Sequence, residues 1–116
     1  IHHGLANALL IKFVLEFTID KTMTTENEGL LSKLETIGDI ISSITLDNIS
    51  YIPDILSTFI NNIGIELGLN EKGIQPDHIP KLAQLAYDDS CHATHPFPVT
   101  IEDFRKITSG KGNYTP

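Results

Sequence analysis

Five histidines and one cysteine are the side chains of this 116-residue chain best suited to binding a transition metal. Two of them, His2 and His3, come directly before a glycine and an apolar run. Neutral imidazole is a common metal ligand, and a rigid apolar helix supports a ligand well. The positive end of a helix opposes a cation there unless other ligands are anionic. His3 is therefore a candidate ligand, with a cap or a solvated side chain as the alternative. His2 points elsewhere on a helix.

A second group of metal-ligating residue types lies at Cys91, His92 and His95. A structural zinc site usually needs four ligands that commonly arrive as two spaced pairs, and this sequence has no second pair. An exposed loop before Pro96 explains the same residues. A structural zinc site at Cys91, His92 and His95 is therefore an alternative interpretation. We interpret His78, which stands near a predicted helix start, as a surface residue.

Three pairs of neighbouring carboxylates in the sequence have explanations that do not involve catalysis. They lie at the ends of predicted helices, where capping, the helix dipole or solvation accounts for acidic residues. None has an adjacent base or an apolar pocket visible in the sequence, and no phosphate loop or nucleophile elbow is present. We therefore assign no catalytic and no cofactor-binding residue within this chain. The pairs are Glu26 and Glu28, Asp88 and Asp89, and Glu102 and Asp103.

Composition excludes several classes of partner. The net charge is −7, and the longest basic cluster is Arg105-Lys106, so nucleic acid and anionic membranes are poor partners. The longest apolar run, Ala8 to Ile11, is far short of the roughly 20 residues that span a bilayer. The single cysteine, Cys91, fits a reducing compartment. These features lead us to expect a cytoplasmic protein.

The opening stretch, residues 1–17, predicts a helix that is apolar almost all round. Such a helix belongs inside a larger assembly, and its place at the chain's first residue leads us to expect further polypeptide upstream. Residues 18–24 predict a polar connection after this helix. A second helix is predicted from a capping box formed by Thr25 and Glu28 to about Ser43.

The clearest periodicity predicts a third helix. Its apolar positions recur with helical spacing, Pro53 stands near its start, and Gly64 fits a C-cap. The predicted buried stripe comprises Ile52, Ile55, Leu56, Phe59, Ile60 and Ile63.

Two further helices complete the predicted fold. One runs from about Asp77 to Asp88, and residues 95–98 are non-helical because each residue before a proline is extended. Thr100 and Asp103 form the capping box of the last helix. Residues 109–116 form a loose tail. The pattern predicts one all-α domain, a bundle of about five helices.

One motif of the chain closely resembles a family signature. The signature H-G-x-A-N-A of the iron-containing, group III alcohol dehydrogenases is matched by His3-Gly4-Leu5-Ala6-Asn7-Ala8. The family segment G-I-P-x-x-L-x-E-L-G-V is similar to the stretch from Gly64 to Ile74. Further similar pieces follow in family order, so the resemblance runs from residue 2 to about 107. These pieces are Asp77, Ile79-Pro80, Leu82-Ala83, Ala86, Pro96, Pro98, Val99-Thr100 and Glu102-Asp103.

The resemblance implies a fold and a reaction. It places residues 1–116 in the C-terminal, all-helical metal domain of a dehydroquinate synthase-like fold. In that family an aspartate and three histidines hold Fe²⁺ or Zn²⁺, and His3 matches the last histidine. The metal lowers the pKa of the alcohol so that hydride passes to NAD(P)⁺, which gives an alcohol–aldehyde oxidoreductase.

The resemblance also implies what this chain lacks. The other three ligands and the nucleotide-binding domain lie upstream in the family, so we expect this chain alone to bind no metal or cofactor and to be inactive. Expected partners are a small alcohol or aldehyde, the missing N-terminal domain, and further copies in a homodimer or higher oligomer. Lys12-Phe13 replaces a frequent Pro-His pair, which bears on substrate preference. A small helical interaction module without catalysis is the other alternative.

Overall fold

A computed structural model describes residues 3–42, 49–66, 68–69 and 72–110. Over these residues the chain forms five α-helices and no β-strand, so the all-α prediction is confirmed. Three short 3₁₀ segments, Ile49–Tyr51, Pro76–His78 and Ser90–Thr94, connect them. The helices are α1 (His3–Thr24), α2 (Glu28–Ser42), α3 (Ile52–Asn62), α4 (Ile79–Asp88) and α5 (Ile101–Thr108).

The chain divides into two compact units. The central unit is Ile11–Ile65, and the flanking unit combines Ile1–Leu10 with Glu66–Pro116. Helix α1 contributes its first part to the flanking unit and the remainder to the central unit.

Helix α1 is longer than the sequence pattern predicted. The prediction of a polar connection over residues 18–24 is wrong, because α1 continues to Thr24. The Thr18 hydroxyl donates to the Val14 carbonyl at 2.9 Å, and the Thr22 hydroxyl donates to the Thr18 carbonyl at 2.7 Å. These bonds to the preceding turn satisfy the hydroxyls inside the helix, so Thr22 can be almost fully buried.

The boundary between α1 and α2 also corrects a prediction. Thr25 does not cap α2; its hydroxyl donates to the Lys21 carbonyl at 2.6 Å and belongs to the end of α1. The cap is Asn27, whose side-chain oxygen accepts from the Leu30 N–H at 3.1 Å. Glu26 turns the chain between the helices with a φ of 53°. Helix α2 is described as far as Ser42, and its predicted end near Ser43 lies outside the described residues.

The central unit is held by an aliphatic core. Its buried members come from α1, α2, the first 3₁₀ segment and α3, and they are Ile19, Leu34, Ile49 and Ile52. Partly buried leucine and isoleucine side chains surround them: Leu15, Leu31, Ile41 and Leu56. Burial of these side chains is the main contribution to the stability of this unit.

Helix α3 begins and ends as predicted. Pro53 lies in its first turn, and Gly64 has the positive φ of 94° that favours glycine after a helix. The Gly64 N–H donates to the Asn61 carbonyl at 3.0 Å, and the Ile65 N–H donates to the Ile60 carbonyl at 3.3 Å. This pair of bonds is a Schellman motif.

The buried stripe predicted for α3 is only partly buried. Ile52 is fully buried and Ile60 is 9% exposed, as predicted. Phe59 and Ile63, predicted on the same stripe, are 60% and 59% exposed. The periodicity identified the helix correctly, but part of its apolar surface faces solvent.

The flanking unit is organised around α4 and α5. Its buried side chains include Leu69, Ile79, Ala83, Phe97 and Val99. The predicted capping box of α5 is confirmed, because the Asp103 N–H donates to the Thr100 hydroxyl at 3.1 Å and the Thr100 N–H donates to the Asp103 carboxylate at 2.9 Å. Residues 95–98 are non-helical, as predicted.

The predicted tail falls mostly beyond the described residues. Residues 111–116 lie outside them, as do Ile1 and His2. Ser109 and Gly110 are described, and their N–H groups donate to the Arg105 and Ile107 carbonyls at 2.9 and 3.4 Å. No described helix is both long enough and apolar enough to cross a membrane.

Candidate functional site

His3 is the first residue of α1, the helix that carries the H-G-x-A-N-A motif. Its side chain lies outside the part of the chain that the structure describes. Asn7, one helical turn later, shares the same side of the helix and is exposed. The motif therefore occupies the first two turns of α1, and the chain presents it at the helix N-terminus.

The described residues do not complete a metal site. Within them, no three histidine, cysteine, aspartate or glutamate side chains lie close enough together to hold a metal ion. His3 carries one imidazole, and the positive end of α1 calls for anionic companions beside a cation. The described residues therefore do not fit a metal on their own.

His92 is engaged in structural contacts. Its Nε2 lies 2.8 Å from the Tyr87 carbonyl, to which it donates when Nε2 carries the proton. The imidazole also stacks on the Tyr87 ring at 5.3 Å and meets the Phe104 ring edge-on at 5.6 Å. This histidine connects the end of α4 to α5 within the flanking unit.

Cys91 and Asp89 form a local pair at the surface. The Cys91 N–H donates to the Asp89 carboxylate at 2.9 Å. A hydrogen bond from the Cys91 thiol, followed by this backbone bond, lowers the pKa of Asp89. The same thiol hydrogen bond and the negative charge of Asp89 raise the pKa of Cys91. Metals and electrophiles react with the thiolate, so this arrangement disfavours both reactions.

His95 and His78 each accept a local backbone hydrogen bond. The Phe97 N–H donates to His95 Nδ1, and the Gln75 N–H donates to His78 Nδ1, both at 3.1 Å. The first contact shapes the extended segment after the 3₁₀ turn, and the second caps the turn before α4. Cys91, His92 and His95 are all described, and they are not arranged as a group that could hold a metal ion, so the described residues do not assemble the zinc site considered as an alternative.

The acidic pairs serve helix ends, as their positions indicated. Asp103 caps α5, Asp88 accepts from the Gln84 side chain at 2.9 Å, and Glu28 lies in the first turn of α2. Each therefore has a structural explanation in the described chain.

Lys12 links two helices in a way that the sequence did not reveal. Its Nζ lies 3.9 Å from Glu16 on α1 and 3.7 Å from Asp54 on α3. The four-residue spacing could have identified the contact with Glu16, whereas nothing in the spacing identifies Asp54. Lys12 stands where the resembling family often has a proline, and here it joins α1 to α3 inside the central unit.

The all-helical architecture and the H-G-x-A-N-A motif that opens α1 are the features expected of the C-terminal helical domain of the family that the sequence resembles. The comparison with protein families identifies the same family. The model described as "Fe-containing alcohol dehydrogenase family, C-terminal" matches residues 1–111. The chain belongs to this family.

Two of the curated proteins that are similar to this chain have different names. Lactaldehyde reductase of Escherichia coli (strain K12) is 28% identical over 106 residues, which cover 90% of this chain and 27% of that protein. The 4-hydroxybutyrate dehydrogenase of Cupriavidus necator is 25% identical over 107 residues, which cover 92% of this chain and 26% of that protein. The chain thus spans about a quarter of each relative's length. No solved structure matches it.

Proposed function

We propose that this chain is the C-terminal helical portion of a metal-dependent, NAD(P)-linked oxidoreductase that interconverts small alcohols and aldehydes. The observation that carries the proposal is the family match over residues 1–111, with the H-G-x-A-N-A motif in the first two turns of α1. A nearly complete match of this kind supports the family's chemistry more strongly than any isolated residue.

His3 is the metal ligand in this proposal. It lies at the start of a long helix that fixes its backbone, and imidazole suits both Fe²⁺ and Zn²⁺. The described residues contain no group of side chains that could hold a metal ion. The remaining ligands therefore come from polypeptide outside them. A bound metal supplies Lewis-acid polarisation of the substrate oxygen.

The names of the relatives support the proposed substrate class. One is named as a reductase of lactaldehyde and the other as a dehydrogenase of 4-hydroxybutyrate. Lactaldehyde carries an aldehyde group and 4-hydroxybutyrate an alcohol group, which are the two sides of one hydride transfer. We therefore assign a small alcohol or aldehyde to the whole enzyme, with a nicotinamide as the hydride carrier and the cytoplasm as its compartment.

The isolated chain has neither activity nor a bound cofactor in this account. One imidazole at a helix N-terminus binds a divalent metal weakly, and the nucleotide-binding domain is the partner that carries NAD(P). The test is an assay of the 116-residue chain with NAD⁺ or NADP⁺, Fe²⁺ or Zn²⁺, and a series of simple alcohols. No turnover is expected, and metal-dependent reduction of the nicotinamide would overturn the fragment proposal.

A further inference from the structure

His78 closes the turn that leads into α4 through two hydrogen bonds with Gln75. The Gln75 N–H donates to His78 Nδ1 at 3.1 Å, and the His78 N–H donates to the Gln75 carbonyl at 3.0 Å. The side chain that accepts an N–H three residues before it at a helix start is usually that of glutamate or glutamine. Here an imidazole takes this role, so the bond depends on the protonation state of the ring.

The bond from Gln75 requires that His78 Nδ1 is unprotonated. A neutral imidazole has one nitrogen that accepts and one that donates, whereas both nitrogens of imidazolium donate. In the closed turn the proton of the neutral ring therefore lies on Nε2. When the ring takes up a second proton, Nδ1 becomes a donor that faces the Gln75 N–H, which is also a donor. Protonation therefore breaks this bond.

The charged groups near His78 belong to its own turn, to α4 against which the turn packs, and to the preceding segment. Asp77 favours imidazolium, whereas Lys81 on α4 opposes it. The N-terminal end of α4 carries partial positive charge, which also opposes a cation beside it. On the preceding segment, Lys72 is the described charged residue nearest in the chain. The other titratable side chains of α4 lie in its last turn: Tyr87 and Asp88.

His78 differs from the other two histidines whose side chains are described. His92 contacts the Tyr87 carbonyl through Nε2, and imidazolium can still donate to that carbonyl. Nδ1 of His95 lies 3.1 Å from the Phe97 nitrogen and 3.0 Å from the Phe97 oxygen, so this ring can accept or donate. Among these three described rings, that of His78 is the one whose backbone bond has no counterpart in the protonated state.

We propose that His78 is a pH-sensitive latch on the turn before α4, closed while the ring is neutral and open once it is protonated. The bond stabilises the turn at higher pH, and this contribution is lost as the pH falls through the titration of the ring. Opening releases the Gln75 N–H and loosens the turn. The inference uses contacts within the flanking unit, and it stands independently of the oxidoreductase assignment.

The first test follows the ring and the Gln75 amide together by NMR while the pH of the 116-residue chain is lowered from about 8 to about 5. The ring ¹⁵N shifts of His78 at the higher pH should show a proton on Nε2 and none on Nδ1. As the ring titrates, the Gln75 amide signal should move with the same midpoint. Its protection against exchange, corrected for the intrinsic effect of pH, should fall by about fivefold.

The central unit provides an internal reference in the same experiment. Residues 11–65 contain no histidine, and histidine is the side chain that ordinarily titrates between about pH 5 and pH 8. The amides of α2 and α3 should therefore keep their protection over this range. Loss of protection in both units together would mean that the whole chain opens, which rejects a local latch.

Two substitutions separate the latch from other effects of pH. His78→Asn places an amide oxygen where Nδ1 lies, so it keeps an acceptor that does not titrate, and the Gln75 amide should stay protected across the range. His78→Ala removes the acceptor, and the amide should have the lower protection at every pH. Circular dichroism checks that both variants keep their helices, as expected for an exposed position.

Three results would overturn the proposal. The first is a neutral His78 ring whose proton lies on Nδ1, because that nitrogen could not accept. The second is a Gln75 amide whose protection does not follow the titration of the ring. The third is a His78→Asn variant with the same pH dependence as the wild type, since another group would then cause it.

Discussion

The two units of the chain differ in what their surfaces expose. Among the described residues, ten large hydrophobic side chains are exposed, and eight of them belong to the central unit. The flanking unit exposes only Leu85 and Tyr87 of this set. The eight in the central unit are Ile11, Val14, Met23, Ile37, Ile40, Tyr51, Phe59 and Ile63.

The two units also differ in their stabilising contacts. The central unit has an aliphatic core with Ile52 fully buried. The flanking unit adds local polar and aromatic contacts, such as the Thr100–Asp103 capping box and the stacking of His92 on Tyr87. Exposed large apolar side chains are therefore concentrated in the central unit, whereas polar and aromatic contacts within the flanking unit satisfy the start of α5 and join it to α4.

The largest expected effect is in the core of the central unit. Ile52→Ala should lower the free energy of unfolding by about 3 kcal/mol, through the lost transfer energy and the cavity left behind. Urea unfolding followed by circular dichroism measures it. Ile40→Ala, at a side chain that is 73% exposed, is the control and should change stability by no more than about 0.5 kcal/mol. Equal losses at both positions would break the distinction between core and exposed face.

A smaller effect is expected at the link between α4 and α5. His92→Ala removes the hydrogen bond to Tyr87 and two ring contacts, which together contribute about 2 kcal/mol. His92→Phe keeps the rings and loses only the hydrogen bond, so it should recover roughly half of the loss. Amide hydrogen exchange at the end of α4 reports this locally. If exchange there is as slow in His92→Ala as in the wild type, His92 does not stabilise this connection.

A substitution at Ser57 in the central unit should raise the stability of the chain, whereas the two substitutions above lower it. Its buried hydroxyl has no hydrogen-bond partner among the described residues. Ser57→Ala removes this unsatisfied group and should stabilise the chain by about 1 kcal/mol. Thr58→Ala, at an exposed neighbouring position, is the matched control. Destabilisation by Ser57→Ala, measured as a lower urea midpoint, would mean that the hydroxyl does have a partner.

The smallest effect concerns the reactivity of Cys91 in the flanking unit. Because Asp89 raises the pKa of the thiol, the thiolate fraction at a given pH is lower in the folded chain than in the unfolded chain. Alkylation with iodoacetamide should therefore reach its half-maximal rate at a higher pH in the folded state. Asp89→Asn should shift that midpoint down and speed the reaction at neutral pH. An unchanged midpoint in Asp89→Asn would remove Asp89 as the cause.

The sequence predicted those parts of the fold that depend on local signals. The caps at Gly64 and at Thr100 with Asp103 were identified because the residues involved are only a few positions apart. The extension of α1 was missed, since composition does not show that threonine hydroxyls bond to the preceding turn. Thr25 and Asn27 are both good caps, and only the structure distinguishes between them.

Contacts between residues that are far apart in the chain were harder to predict from the sequence. The apolar stripe of α3 was recognised, but periodicity does not show which side chains find a neighbour, and Phe59 and Ile63 remain exposed. The Lys12–Asp54 contact joins residues 42 positions apart and has no local signal. His3 became a strong candidate ligand only through the family resemblance, because a single histidine near a helix start has several explanations.

The most direct test of the central claim is the metal content of a chimaera. Residues 1–111 replace the matching segment of Escherichia coli lactaldehyde reductase, and bound metal is measured after purification. We expect the chimaera to retain metal. His3→Ala should lower its metal affinity by at least about tenfold, and the His78→Ala control should leave the affinity unchanged. Full metal binding by the His3→Ala chimaera would contradict the assignment of His3 as a ligand.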